Sequence, residues 1–304
     1  MSKVRNILVV SHTAQPDSLE ACVEVCRHLR EAGATAVLRD IERDAVAEVA
    51  PDLSDLAVLG DDVDIADVEC AIVLGGDGTI LRAAEVLHGA DVPLVGVNMG
   101  RVGFLAETER SGLTETVARV LARDYSIEKR STLDVRVLEG NTEVFHSWAL
   151  NEAAIEKVAS RMLEVVIEVD QRPLSSFGCD GVVVATPTGS TAYAFSAGGP
   201  VVWPTVSALI VVPLSAHALF ARPIVTAPTS HVAVEVEAHS APGVLTCDGR
   251  RTVALAPGAR VVITTSEVPL TLARMHHETF TDRLVHKFDL PVTGWRGPGG
   301  GGRA

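Results

Sequence analysis

Short apolar runs separated by amphipathic stretches fill the first 128 positions. "NILVV" (6–10) reads as a buried strand. Pro16 and Asp17 open "DSLEACVEVCRHLREAG", where Leu19, Val23, Cys26 and Leu29 or Arg30 recur at helical spacing. Gly33 is placed to end that helix. "ATAVLRD" (34–40), "ECAIVL" (69–74) and "PLVGV" (93–97) are further strands, with a helix over 79–89 between the last two. Short apolar strands alternating with helices predict a parallel sheet covered on both faces. Residues 1–128 are therefore expected to form an α/β domain.

The period changes near residue 130. "LDVRVLE", "MLEVVIEVD", "VAVEVEA", "RTVALA" and "ARVVITT" alternate or carry β-branched runs, and "EGN", "DQRP", "CDGR" and "APGA" supply turns between them. A β-rich domain is expected over 129–275. A C-terminal segment, 276–304, follows. In it "FTDRLVHKFDL" spaces Phe280, Leu284 and Phe288 four apart, as a packing helix would, and "GPGGGGRA" reads as a flexible tail. No internal repeat is visible.

Composition narrows the classes. A chain of 304 residues with 47% hydrophobic content can build two cores and is not a disordered protein. The formal net charge of -13 disfavours nucleic acid and anionic membranes as partners, so an anionic ligand needs local groups to hold it. Cys22, Cys26, Cys70, Cys179 and Cys247 are odd in number and lack CxxC spacing, which disfavours secretion and a zinc ribbon and predicts buried free thiols. The first apolar run is too short for a signal peptide, and "ALIVVPL" is too short to span a bilayer. A cytoplasmic location is expected.

The strand at 69–74 runs into Gly75-Gly76-Asp77-Gly78-Thr79. Thr79 is placed to cap the next helix, with Ile80, Ala84 and Leu87 facing inward. Freed amides at such a helix start suit a phosphate. The lysine clamp GxxxxGK[ST] is missing, and Leu81 breaks GxGxxG. Asp77 then has three readings. It binds a magnesium ion that bridges to phosphate, it takes a proton from a hydroxyl that attacks phosphorus, or it satisfies backbone amides in a tight turn. Arg82, one helical turn on, faces either a phosphate or solvent. A second glycine turn, "NMGRVGFLAE" with Asn98, Gly100 and Gly103, ends the next strand. Two such turns on one edge of a parallel sheet point to a bound nucleotide or are simply a pair of tight connections.

The second domain carries two polar clusters. Asn151-Glu152 pairs an amide with an acid, able to read an adenine edge and a sugar hydroxyl or simply to form a strand-end turn. "FGCDGVVVATPTGSTAYAFSAGGP" (177–200) gathers Asp180, Thr186, Thr188, Ser190, Thr191, Tyr193 and Ser196 around Pro187 and Gly189. Small hydroxyls and glycine let a flat ligand approach the backbone, and Tyr193 can stack on a base. Ser190 lacks a GxSxG context, so a serine hydrolase is not indicated. Adjacent His276 and His277 point apart and HExxH is absent, so no dedicated protein metal site is expected.

Together "GGDGT" (75–79), "NMGRVGFL" (98–105), "NE" (151–152), "DGVVVATPTGSTAYAFSAGGP" (180–200) and "HALFARP" (217–223) resemble the NAD kinase family over nearly the whole chain. "GGDGT" alone is shared with lipid kinases and phosphofructokinases, whereas the long motif is specific. "LPVTGWR" (290–296) is similar to the actinobacterial branch. The resemblance implies a Rossmann-like α/β N-terminal domain plus a β-rich C-terminal domain. It implies phosphorylation of the 2′-hydroxyl of the adenosine ribose of NAD by ATP or polyphosphate, giving NADP, with Mg2+ accompanying the donor. It also implies a homo-oligomer, dimer or tetramer. By that resemblance Asp77 is the proton acceptor, and Gly75, Gly76 and Thr79 form the phosphate-donor loop. NAD contacts fall to Asp77, Gly78, Arg82, Asn151, Glu152, Arg161, Asp180, Thr188, Thr191, Ala192, Tyr193, Ala194, Phe195, Ser196 and Arg250. Gly178 departs from a basic residue common in the family, and Arg250 from glutamine. Two competing readings are a lipid kinase, which needs a basic or amphipathic membrane face that this acidic chain lacks, and a non-catalytic NAD(P)-binding regulator, which should have lost Asp77.

Overall fold

The computed structural model describes residues 5–100, 103–158, 160–275 and 279–292. Arg101 and Val102, His276-His277-Glu278 and the tail from 293 onward lie outside them, and so do the expectations placed there.

The first part of the chain runs β1 (Asn6–Ser11), α1 (Pro16–Glu31), β2 (Thr35–Leu38), α2 (Asp40–Val49), β3 (Ala57–Val58), β4 (Val68–Leu74), α3 (Asp77–Leu87), β5 (Leu94–Asn98), β6 (Thr108–Glu109), α4 (Leu113–Ala122) and β7 (Ser126–Arg130). The first two strands pair in parallel, as do β1 with β4 and β4 with β5. Five consecutive buried residues in β4, Cys70 to Leu74, show why these strands read as unbroken apolar runs: both faces are covered. Proline sits in the first turn of α1 and Gly33, at φ 73°, follows its end. Its buried face is Ser18, Ala21, Cys22, Val25, Cys26 and Leu29. Leu19 and Val23, expected on that face, are only partly buried at its border. The face of small residues is the one laid against the core, and a hydrophobicity pattern underweights them.

The chain then builds β8 (Leu133–Glu139), β9 (Thr142–Ala149), β10 (Glu152–Lys157), β11 (Leu163–Val169), β12 (Arg172–Cys179), β13 (Gly181–Ala185), the one-turn α5 (Tyr193–Ser196), β14 (Leu209–Leu214), β15 (Ile224–Thr226), β16 (Val232–Val236), β17 (Gly243–Cys247), β18 (Arg251–Leu255) and β19 (Ala259–Thr265). They form two antiparallel six-stranded sheets, ordered β15-β14-β13-β10-β17-β18 and β12-β11-β16-β19-β8-β9. Both share a core of inward residues such as Val135, Ile155, Val165, Val234 and Val261. "DQRP" and "CDGR" make the tight hairpins their composition predicts. Asp170 and Gln171, and likewise Asp248 and Gly249, take the left-handed φ that such turns require.

Finally β20 (Leu270–Arg274) pairs in parallel with β5, and α6 (Phe280–Phe288) follows. The first sheet is ordered β3-β2-β1-β4-β5-β20-β7, with β6 beside β5. The chain thus divides into two compact units, residues 1–128 with 271–304, and residues 129–270. Residues 271–275, expected with the β-rich domain, belong to the first unit, and so does the described part of the C-terminal segment. The reason is burial: Ala273 and Met275 pack in the first unit's core. All five cysteines are free and buried.

Candidate active site

In the first unit, β1, β4 and β5 end on the same edge of the sheet. Helix α3 starts at Asp77 with Gly76 as its N-cap, so Thr79 is the third helical residue and not the cap. Asp77 is half-buried, with Gly76 and Gly78 exposed on either side. Its carboxylate is held from the next connection: Oδ2 accepts the Phe104 N–H and Oδ1 the Leu105 N–H, each at 3.2 Å. A β-carbon on Gly103 would lie 2.2 Å from Oδ1, so only glycine lets this strand-end loop close on the acid. The turn holding "NMG" is fixed by Asn98, whose amide bridges both backbone groups of Gly100. Arg82 donates to the Thr79 hydroxyl at 3.3 Å and is partly exposed. Each Asp77 oxygen keeps a second acceptor direction beyond its one amide.

The second unit presents its own polar group. Asp248, in the β17–β18 hairpin, accepts the N–H of Leu150 at 2.8 Å, of Asn151 at 2.7 Å and of Glu152 at 3.3 Å, and pairs with Arg251. This one buried carboxylate fixes the backbone that carries Asn151 and Glu152. Burial, then the charge of Asp248, pushes Glu152 up to about 7, opposed by the Tyr193 N–H that its carboxylate accepts. Burial also raises Asp248, against its amide bonds and Arg251. The segment after β13 packs on the same backbone. Thr186 donates to the Leu150 carbonyl at 2.6 Å, and a β-carbon on Gly189 would lie 2.0 Å from the Asn151 carbonyl oxygen.

Beside it lies a cavity of about 520 Å³ lined by Glu156, Lys157, Asp180, Tyr193, Ser196 and neighbours. Asp180 pairs with Lys157, and that bond, with the Ser215 hydroxyl, holds it below the usual carboxylate value. The Tyr193 hydroxyl donates to Glu156 at 2.7 Å, and burial with this bond pushes it up to about 12. The residue is 36% exposed.

The expected contact residues divide. Asp180, Tyr193 and Ser196 line the cavity, Glu152 reaches the Tyr193 amide, and Phe195, Thr191 and Ala192 are exposed or half-buried on the same turn. Ala194 is fully buried in a core cluster with Val183 and Ile210, so its side chain offers nothing to a ligand. Thr188 is buried against Arg130, and the Ser190 hydroxyl is spent on Pro187 and Val202. Those hydroxyls hold the loop shape. Arg161 and Arg250 lie exposed in turns before β11 and β18. Sequence reading missed Lys157 and Glu156, detectable only as positions on the strand after "NE", and Asp248, whose turn motif was legible but whose long-range partners were not.

The first unit ends its parallel strands in a glycine-acid turn, and the second carries a fixed amide-acid pair beside a polar cavity, each a feature that nucleotide phosphotransferases use. Residues 7–125 match the ATP-NAD kinase N-terminal domain and residues 150–275 the ATP-NAD kinase C-terminal domain. An NAD kinase of Leifsonia xyli is 59% identical over 302 residues, covering 99% of each chain, and NAD kinase 2 of Streptomyces coelicolor is 53% identical over 97% of this chain and 98% of its own. Among solved structures, yeast NADH kinase complexed with NADH superposes with a TM-score of 0.83 at 22% identity, over 94% of this chain and 87% of that one. An Archaeoglobus fulgidus NAD kinase in complex with ATP gives 0.70 at 22% identity, over 95% and 100%. The chain belongs to the NAD kinase family.

Proposed function

We propose that this protein transfers a phosphoryl group from ATP, or from polyphosphate, to the 2′-hydroxyl of the adenosine ribose of NAD, with Asp77 taking the hydroxyl proton. The observation that carries the reading is the Asp77 carboxylate at the start of α3, tethered by two amides of its own sheet edge and still able to accept. A ribose hydroxyl is a weak nucleophile. A carboxylate that removes its proton as the bond to phosphorus forms contributes about a hundred- to ten-thousand-fold. Positioning and charge stabilisation account for the rest.

The donor's phosphates are assigned to Gly75, Gly76 and Thr79, at a helix start. Among the described residues no three His, Cys, Asp or Glu side chains group to hold a metal. Magnesium is assigned to the substrate, as the ATP complex. Asn151, Glu152, Asp180 and the exposed part of Thr191 to Ser196 are assigned to the dinucleotide, with Arg82, Arg161 and Arg250 as outer contacts. A cytoplasmic location and a dimer or tetramer complete the reading. Among the described residues no helix is long and apolar enough to cross a membrane.

Asp77→Asn tests it. The amide keeps one acceptor oxygen and the fold, so NAD binding should persist while kcat drops at least about a hundredfold. Near wild-type turnover at saturating magnesium-ATP removes Asp77 from the role. Parallel assays with ATP and polyphosphate identify the donor.

A further inference from the structure

One of the two amides that hold Asp77 is itself held from behind. The peptide joining Phe104 to Leu105 gives its N–H to Asp77 Oδ1, while its carbonyl accepts Arg283 Nη1 at 3.0 Å. Arg283, on α6, is 5% exposed and its other nitrogen pairs with Glu107 at 3.0 Å. Glu107 is equally buried and also binds Arg274 at 2.8 Å and the Met275 N–H at 2.8 Å. Arg274 in turn donates to the Leu105 carbonyl at 3.4 Å and pairs with Glu128. The Phe104 ring lies between Phe280 and Phe288 of the same helix, with centroids 6.0 and 5.8 Å away.

An ion pair that only stapled α6 to the sheet would need Glu107 and nothing more. Arg283 instead places its second arm on the carbonyl of one of the two peptides that end at the acid. A cation on the carbonyl side of an amide polarises it and strengthens its N–H as a donor, and the fork geometry fixes the peptide plane. We infer that Arg283 is a positioning residue for phosphoryl transfer, setting the orientation of the Asp77 carboxylate through the Phe104–Leu105 peptide, with Glu107 orienting Arg283. This rests on the proposed role of Asp77, and the test separates the two.

The experiment measures kcat and the KM values for NAD and ATP in Arg283→Met and Arg283→Lys, each alone and combined with Asp77→Asn. Arg283→Met should lower kcat about tenfold, about 1.4 kcal/mol in the barrier, with both KM values within about twofold of wild type. Arg283→Lys, which keeps the charge but not the fork, should fall between. In the Asp77→Asn background either change should cost little further, because the group it positions is gone. Wild-type kcat in both single variants overturns the inference. So does an equal fold-loss with and without Asp77, which marks a staple alone. If Arg283→Met does not fold, Arg283→Lys decides by the same comparison. If Asp77→Asn itself turns over normally, the role of Asp77 fails, and the inference falls with it.

Discussion

At Glu152 the protein keeps a carboxyl group whose proton affinity is raised from the usual 4.5 to about 7. Between those values the folded chain holds a proton that the unfolded chain has released, so stability falls as pH rises through that window. Glu152→Gln fixes the neutral form and still accepts the Tyr193 amide. Its unfolding midpoint should match wild type near pH 4.5 and exceed it increasingly toward pH 8, by at most about 3 kcal/mol in stability. A margin that stays flat across that range would show Glu152 to be ordinary. Tyr193 tests the ligand side. Tyr193→Ala removes an exposed ring, and the KM for NAD should rise several-fold while that for ATP stays put; equal changes in both contradict stacking. The residues that stand out in the sequence are those whose setting is local. Asp77 announces itself as an acid between glycines. Asp248 does not, because its partners, the amides of residues 150–152, lie about a hundred positions away in the chain, and Arg283 is tied to Phe104 by the same kind of distant bond. Ala194 has its side chain in a core cluster; a motif shows which residues recur together but not which way each one faces.

At the scale of elements, the strands read from alternation and apolar runs fall within a residue or two of their observed bounds, because each such strand's burial pattern is its own. Helix α3 began two residues earlier than expected, at the acid itself, since Gly76 and not a hydroxyl side chain occupies the cap. Helices α2 and α4 were not read at all: both bury only a narrow face, Glu42 and Val46 in one and Leu113, Thr116, Val117 and Val120 in the other. The β17–β18 hairpin is the element whose turn does chemical duty. Asp248 sits there with φ 52°, a conformation that asparagine tolerates as well as aspartate. Asp248→Asn therefore leaves the turn alone and removes acceptor capacity under the three amides. Its expected cost is about 2–3 kcal/mol in denaturant unfolding, with the KM for NAD raised. Unchanged stability would mean that water can take over those amides.

At the scale of the molecule, the two units were visible as a change of period near residue 130, but not the return of the chain to the first of them. Strand β20 is a single parallel addition beside β5, and nothing in "LTLAR" says which sheet it joins. The second unit has a self-contained core drawn from residues 133–263. Expressed alone, residues 129–270 should unfold cooperatively by circular dichroism and heat. Residues 1–128 alone should not, because β20 stands between β5 and β7 in their sheet; a cooperative transition for that fragment would show the return strand to be dispensable. The order of synthesis gives this topology one more effect. A ribosome completes the later-encoded sandwich before it has released the strand and helix that finish the earlier one. Arg283 and the two phenylalanines that brace the loop over Asp77 are translated after it, so a nascent chain carries the acid before its brace exists.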